Sequence, residues 1–220
     1  MNAKEKYLSA ETLIDDILLL ISDLNQDSKK LQKWNATLSE SALIVTDLQN
    51  YFLNPGSHAD IPSAPAILGN IKKLTAIFRN AGQPVIYTRH TNSLPDAGMM
   101  AHWWKDLIHP ESKSSELIDG FCYPGDIILE KHQYDAFYGT NLDDVLKKNK
   151  VSTLVICGVM TNLCCETTLR TAFVKGYHPV LPIDATAAYN RKLHLATFSN
   201  LAFGFAPVIT VDELINLLKK

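Results

Sequence analysis

The sequence predicts an α/β fold: a doubly wound parallel sheet of about six strands with helices on both faces, preceded by an N-terminal helical extension. Two observations carry this. Six short apolar runs alternate with segments of helical periodicity, the pattern of βαβ units. Three of those runs are followed by residues with chemistry to offer, Asp47, Lys131 and Cys164, and open sheets of this kind bind ligands outside the carboxyl ends of their strands. The division that follows is residues 1–40 as extension and 41–220 as the main domain.

In chain order, residues 10–24 place apolar side chains at 13, 14, 17, 18, 20, 21 and 24, an amphipathic helix with Ser9 as its cap. It is expected to pack on the outside of the domain, or to contribute to a subunit interface or a neighbour's site. Residues 25–39 are polar and read as a connector. Residues 42–46 (ALIVT) form the first buried strand, ended by Asp47. A Gly/Pro-rich loop precedes a helix over 66–80, closed by Gly82. Strand two is 84–88 and strand three 126–130, which ends at Lys131. Thr140 caps a helix to about 148. Strand four is 153–157 (TLVIC), broken by Gly158, and a helix opens near Thr161 and Asn162, both good cap residues. Strand five is 179–183, a helix covers 193–203, strand six is 207–210, and the last helix is 211–218.

Composition narrows the function classes. At 220 residues and 46% apolar content, the chain suits one domain with a sizeable core. The formal charge of −2 comes with no basic stripe, so nucleic acid is not an expected partner. No run approaches the roughly 18 apolar residues of a membrane helix. The segment 13–24 carries Asp15, Asp16 and Asp23 and is rejected as a signal peptide. Cys122, Cys157, Cys164 and Cys165 show no Cys-x-x-Cys spacing, so the expected compartment is the reducing cytoplasm.

Cys164 falls in the first turn of the helix after strand four, where unpartnered backbone N–H groups and the helix dipole favour an anion. A thiol there is expected to have a lowered pKa and to act as a nucleophile. Cys165 shares the helix face of Leu169, Ala172 and Phe173, so it is read as core and Cys164 as facing the strand ends. Both being ordinary buried cysteines is the plain alternative. Asp47 alone reads equally as a cap or turn residue, and Lys131 alone as a solvated lysine. All three at one sheet edge point to a triad: an ammonium favouring the thiolate and a carboxylate moving its proton.

The segment GVMTNLCCETTLRTAF resembles the nucleophile motif of the isochorismatase-like cysteine hydrolases, a Gly-Val-x-Thr-Asn/Asp-x-Cys turn entering a helix. TDLQNYF, from Thr46 to Phe52, resembles the family's first strand end, with Asp47 at the aspartate position. EKHQYDAFYGTNLDDVL, from Glu130 to Leu146, resembles its lysine segment, with Lys131 at the lysine position. The three stand in family order, and similarity runs from about Ser41 to Leu217. The resemblance implies an oxyanion hole of the Met160 and Cys164 backbone N–H groups and a cis Val159–Met160 peptide. It implies pocket positions at Gln49 and Tyr134 and a homodimer or homotetramer. Arg89 is a candidate for a substrate carboxylate, or a structural ion pair, and Trp103 a candidate pocket wall. Nicotinamidases of this superfamily hold a metal through Asp-x-His and a second His. Here Asp60-Ile61-Pro62 lacks that His, and TRHTNS replaces the tryptophan-histidine segment, which argues against nicotinamidase activity and against a required metal. His90, His102 and His132 suggest no ligand set.

The expected function is therefore hydrolysis of a C–N bond in a small amide, carbamoyl or ureido compound, through a thioester and without a cofactor. The alternatives are vinyl ether hydrolysis of the isochorismatase type, which resembles this chain in the Trp-rich segment but usually has Gly where Cys164 stands, and a non-catalytic binding member. A vicinal Cys164–Cys165 disulfide is a minor alternative for that pair.

Overall fold

The structure, a computed structural model, describes residues 3–24 and 36–219. Most of the expected connector at 25–39 lies outside the described residues.

The N-terminal helix α1 spans Leu13–Ser22. It starts later than the periodicity suggests. Ser9 Oγ pairs with Glu11 and does not cap the helix, whereas Asp16 ties Thr12 and the Ser9 N–H into the turn before it. Only Ile17 and Leu20 of α1 are buried, and they share one core with Leu8 and the sheet.

The strands are β1 (Ser41–Thr46), β2 (Val85–His90), β3 (Ile127–Lys131), β4 (Thr153–Val159), β5 (His178–Pro182), β6 (Thr186–Ala187) and β7 (Val208–Ile209). All pair in parallel, in the order β3-β2-β1-β4-β5-β7, with β6 beside the end of β4. β1 and β4 are buried at every residue, as continuous apolar runs covered on both faces should be. β3 alternates because it is the edge. The two-residue β6 was not expected; it follows a 3₁₀ turn, Ile183–Ala185, where strand five was read to continue.

The longer helices that follow are α2 (Ala64–Asn80), α3 (Leu142–Lys148), α4 (Glu166–Val174), α5 (Arg191–Gly204) and α6 (Val211–Leu218). α2 starts two residues early because Pro65 suits its first turn. α5 starts early because Asn190 caps it, accepting from the Leu193 N–H. No helix among the described residues is long and apolar enough to cross a membrane.

Gly158 does not break β4. It lies inside the strand with φ of 104°, paired with Thr46 and Thr186. A Cβ there would stand 2.2 Å from the Thr46 carbonyl oxygen, so the residue is needed for close approach of two backbones. Chain order runs outward from β1 through β2 to β3, then returns to β4 on the other side. The reversal at β1 and β4 is where a crevice opens.

Candidate active site

Asp47 caps β1 in the left-handed region, φ 49°, a conformation Asp tolerates better than most residues. Thr88 on β2 holds it twice: its Oγ1 accepts from the Asp47 N–H at 3.1 Å and donates to Oδ1 at 2.5 Å. Oδ2 is left for Lys131, whose Nζ is 2.9 Å away, both side chains fully buried.

Lys131 sits at the end of β3, two strands from β1. Neighbouring strands lie roughly 4.8 Å apart, so the amine must reach across β2 to meet Asp47. A shorter cationic side chain would not do so. Its ammonium also faces His90 Nδ1 at 3.1 Å, the Gln133 carbonyl at 3.1 Å and Cys164 Sγ at 3.4 Å. Burial, the largest single effect, opposes the charge, but the attraction of Asp47 and Cys164 and the hydrogen bonds to both together outweigh it, and the lysine is held protonated, its pKa raised.

Cys164 lies in a π-helical turn, Thr161–Cys165, between β4 and α4. The Leu163 and Cys165 N–H groups both donate to the Met160 carbonyl. Thr161 is therefore not the cap; its hydroxyl turns inward to His194 Nδ1 at 3.0 Å. The Val159–Met160 peptide is cis. Cys165 is buried against Thr46 Oγ1 at 3.4 Å, and all four cysteines are free. The thiol state differs from the expectation. Burial pushes the Cys164 thiol well above its ordinary range, Lys131 opposes this, and Asp47 adds to it. The site thus brings the Asp47 carboxyl and a protonated Lys131 against Cys164, whose thiol form burial favours.

His90 is the residue that sequence reasoning passed over. It is the register partner of Lys131 on β2. Asp47, His90 and Cys164 each present one atom within 4.8 Å of the others, and the ammonium of Lys131 contacts all three. Burial first, then the Lys131 charge, lower the imidazole to about 4, so the ring is neutral near pH 7. Its Nδ1 accepts from the ammonium, and its Nε2 donates to Asn92 Oδ1 at 2.7 Å. Asn92 is itself anchored to the His132 carbonyl at 2.8 Å. Only the strand order, with β2 between β1 and β3, reveals that His90 must sit there.

A pocket of about 670 Å³ opens over Cys164 and His90, walled by Trp103, Trp104, Tyr134, Met100 and Ile108 among others. Trp104 Nε1 donates to the Tyr134 hydroxyl at 2.7 Å, closing one wall. Met160 lines it too. Of the four pocket candidates, Trp103 and Tyr134 line this pocket; Gln49 and Arg89 do not. Gln49 is buried beneath, its amide donating to the His90 and Ser115 carbonyls and accepting from the His90 N–H. It fixes His90 and lies off the pocket. Arg89 turns to Ser115, Pro110 and Glu130, so the ion-pair alternative describes it and the carboxylate clamp does not.

Residues 41–213 match the model of the isochorismatase domain family. The chain belongs to the isochorismatase family. Among curated members, it is 42% identical to Nicotinamidase 3 of Arabidopsis thaliana over 79% of this chain and 86% of that protein. It is 31% identical to the ureidoacrylate amidohydrolase of Agrobacterium fabrum over 83% of this chain and 91% of the relative. Among solved structures, a cysteine hydrolase of Pseudomonas syringae pv. phaseolicola superposes with a TM-score of 0.80 at 28% identity, covering 85% of this chain and 96% of that one. The N-carbamoylsarcosine amidase of Thermoplasma acidophilum gives 0.70 at 31% identity over 79% and 98%. The parallel sheet with flanking helices is the isochorismatase-like fold, and three of the four relatives are named as amidases or amidohydrolases.

Proposed function

We propose that this isochorismatase-family hydrolase cleaves a small, uncharged carboxamide with a flat aromatic acyl group, through a Cys164 thioester. The observation that carries the chemistry is the buried ammonium of Lys131, in contact with both Asp47 and Cys164 at the base of the pocket. In the first step the thiol proton passes to Asp47 as sulfur attacks the carbonyl carbon. The carbonyl electron pair moves onto oxygen, received by the Met160 and Cys164 N–H groups. Collapse breaks the C–N bond, and Asp47 returns the proton to the departing nitrogen, which leaves as ammonia. Water then attacks the thioester, giving its proton to Asp47. The acid is released as the C–S bond breaks, and the proton returns to sulfur.

The substrate class rests on the walls. Aromatic side chains favour a planar ring. With Arg89 turned away, the cations on the pocket lining are Lys4 and the exposed Lys105, both towards solvent. The similarity to Nicotinamidase 3 points the same way, against the reading from the missing Asp-x-His. The ureido reading, suggested by the ureidoacrylate and N-carbamoylsarcosine relatives, needs a carboxylate partner that the inner wall lacks. An open pocket weighs against a non-catalytic member.

The test is steady-state hydrolysis of nicotinamide, benzamide and a ureido acid, with ammonia release as readout, alongside iodoacetamide labelling read by intact mass. Expected are turnover of the aromatic amides, weak turnover of the ureido acid, and one labelled site lost in Cys164→Ala. Faster turnover of the ureido acid overturns the substrate class. No labelling of Cys164 overturns the thiol chemistry.

A further inference from the structure

The family match begins at residue 41, yet Lys4 lines the active-site pocket. Residues 3–8 form an extended arm held between two loops. On one side, the Tyr7 and Leu8 N–H groups both donate to Ser63 Oγ, at 2.9 and 3.1 Å. On the other, the Glu5 N–H donates to the Tyr189 carbonyl at 2.8 Å, the Tyr7 hydroxyl accepts from the Ala188 N–H at 2.9 Å, and the Asn190 amide donates to the Ala3 carbonyl at 3.1 Å. Both loops carry pocket residues: His58 and Ala59 on the first, Tyr189 on the second.

Lys4 completes the bridge. Its Nζ donates to the His58 carbonyl at 2.8 Å, pairs with Asp60, and lies 5.2 Å from the Tyr189 ring centroid. With those partners, the ammonium is already engaged on both loops and is poorly placed to take a substrate anion as well. Behind the arm is a second cavity of about 330 Å³, bordered by Lys6, Leu8, Leu53 and Ile61. The arm is thus a partition between two spaces, with room to shift if its ties are cut.

We propose that residues 3–8 act as a latch that sets the width of the pocket mouth, and that Lys4 is a specificity-determining residue selecting substrates by bulk. The inference rests on the cysteine-hydrolase reading of the pocket beneath. Partly exposed ion pairs contribute little to global stability, so cutting this one loosens the mouth and leaves the fold intact.

The experiment compares alkylation of Cys164 by iodoacetamide and by the bulkier N-(1-naphthyl)iodoacetamide, with rates taken from intact mass. The variants are Lys4→Met and Lys4→Arg in the full chain. Wild type favours the small reagent. In Lys4→Met the ratio of small to bulky rates is expected to fall at least fivefold. Lys4→Arg, which keeps a donor for His58 and Asp60, is expected to stay within twofold of wild type. An unchanged ratio in Lys4→Met, including both rates falling in step, overturns the latch. Amide hydrogen exchange over 57–63 and 187–191 reads the latch without the thiol: it should quicken at least fivefold in Lys4→Met, and unchanged exchange overturns the proposal. Absence of alkylation in wild type refutes the thiol mechanism instead, and the exchange measurement then decides the latch alone.

Discussion

Beside Asp47 and Cys164, His90 is the side chain that meets the Lys131 ammonium, at 3.1 Å. A four-carbon side chain reaching across a strand has many ways to miss, and the ammonium is useful only where it meets both carboxylate and sulfur. The neutral imidazole gives it a third side-chain acceptor, and Asn92 holds the ring so that Nδ1 faces Nζ. Removing that acceptor leaves Lys131 free to drift, and misplacement of about 1 Å can cost about 100-fold in rate. His90→Ala is therefore expected to lower kcat by about that factor in amide hydrolysis. His90→Asn, whose amide oxygen stands near the position of Nδ1, should recover part of it. Equal losses in both variants would reduce His90 to a packing residue. On the proposed mechanism Asp47→Asn removes the group that takes the thiol proton and returns it to the leaving nitrogen, and kcat for amide hydrolysis is expected to drop by about 100-fold or more. A kcat equal to wild type would mean that the proton moves without Asp47.

Among the elements, β4 and the turn after it fix the nucleophile, and Gly158 sets how closely β4 lies against β1. Gly158→Ala places a methyl group on the Thr46 backbone. The strands must part, with an expected loss of about 3 kcal/mol or more, measurable by urea unfolding. A loss under about 1 kcal/mol would show that β1 can yield. These elements were legible in the sequence to different degrees. β1 and β4 announce themselves as unbroken apolar runs, and Asp47, Lys131 and Cys164 follow from the strand ends they terminate. β6 was hidden because two residues carry no periodicity. The role of Thr161 was misread because its hydroxyl has a choice between capping locally and bonding a distant His194, and sequence shows only the first option. Gln49 and Arg89 failed for a similar reason: polar side chains near a strand end point into the crevice or beneath it according to the loops that cross them. Here those loops bring the Ser115 carbonyl to both.

For the whole molecule, buried titratable groups set the response to acid. His90 is lowered to about 4 and His194 to about 3, each by burial first. The unfolded chain therefore binds protons near pH 6.5 that the folded chain refuses, and stability falls as pH drops below 6.5. Asp184, raised to about 6 by burial, acts in the opposite direction: it favours the folded state below about pH 4 and loses that contribution as pH rises through 6. Each histidine contributes a loss of about 2 kcal/mol between pH 6.5 and 5, more than the single carboxyl returns over the same range. Urea midpoints should therefore fall from pH 7 to pH 5, and fall more steeply in Asp184→Asn. A flat profile would contradict the burial of both rings.

Lys131 belongs to β3, the edge strand, which pairs with β2 alone among the described strands. Edge elements open before the centre of a sheet does. On the proposed mechanism, the cation that catalysis needs therefore sits on an edge of the sheet. On warming, catalysis should fail several degrees before the helical circular dichroism signal changes, and should return on cooling from that interval. Its heat sensitivity would then be a property of one peripheral strand, and stitching β3 more firmly to β2 would extend the working range without touching the core.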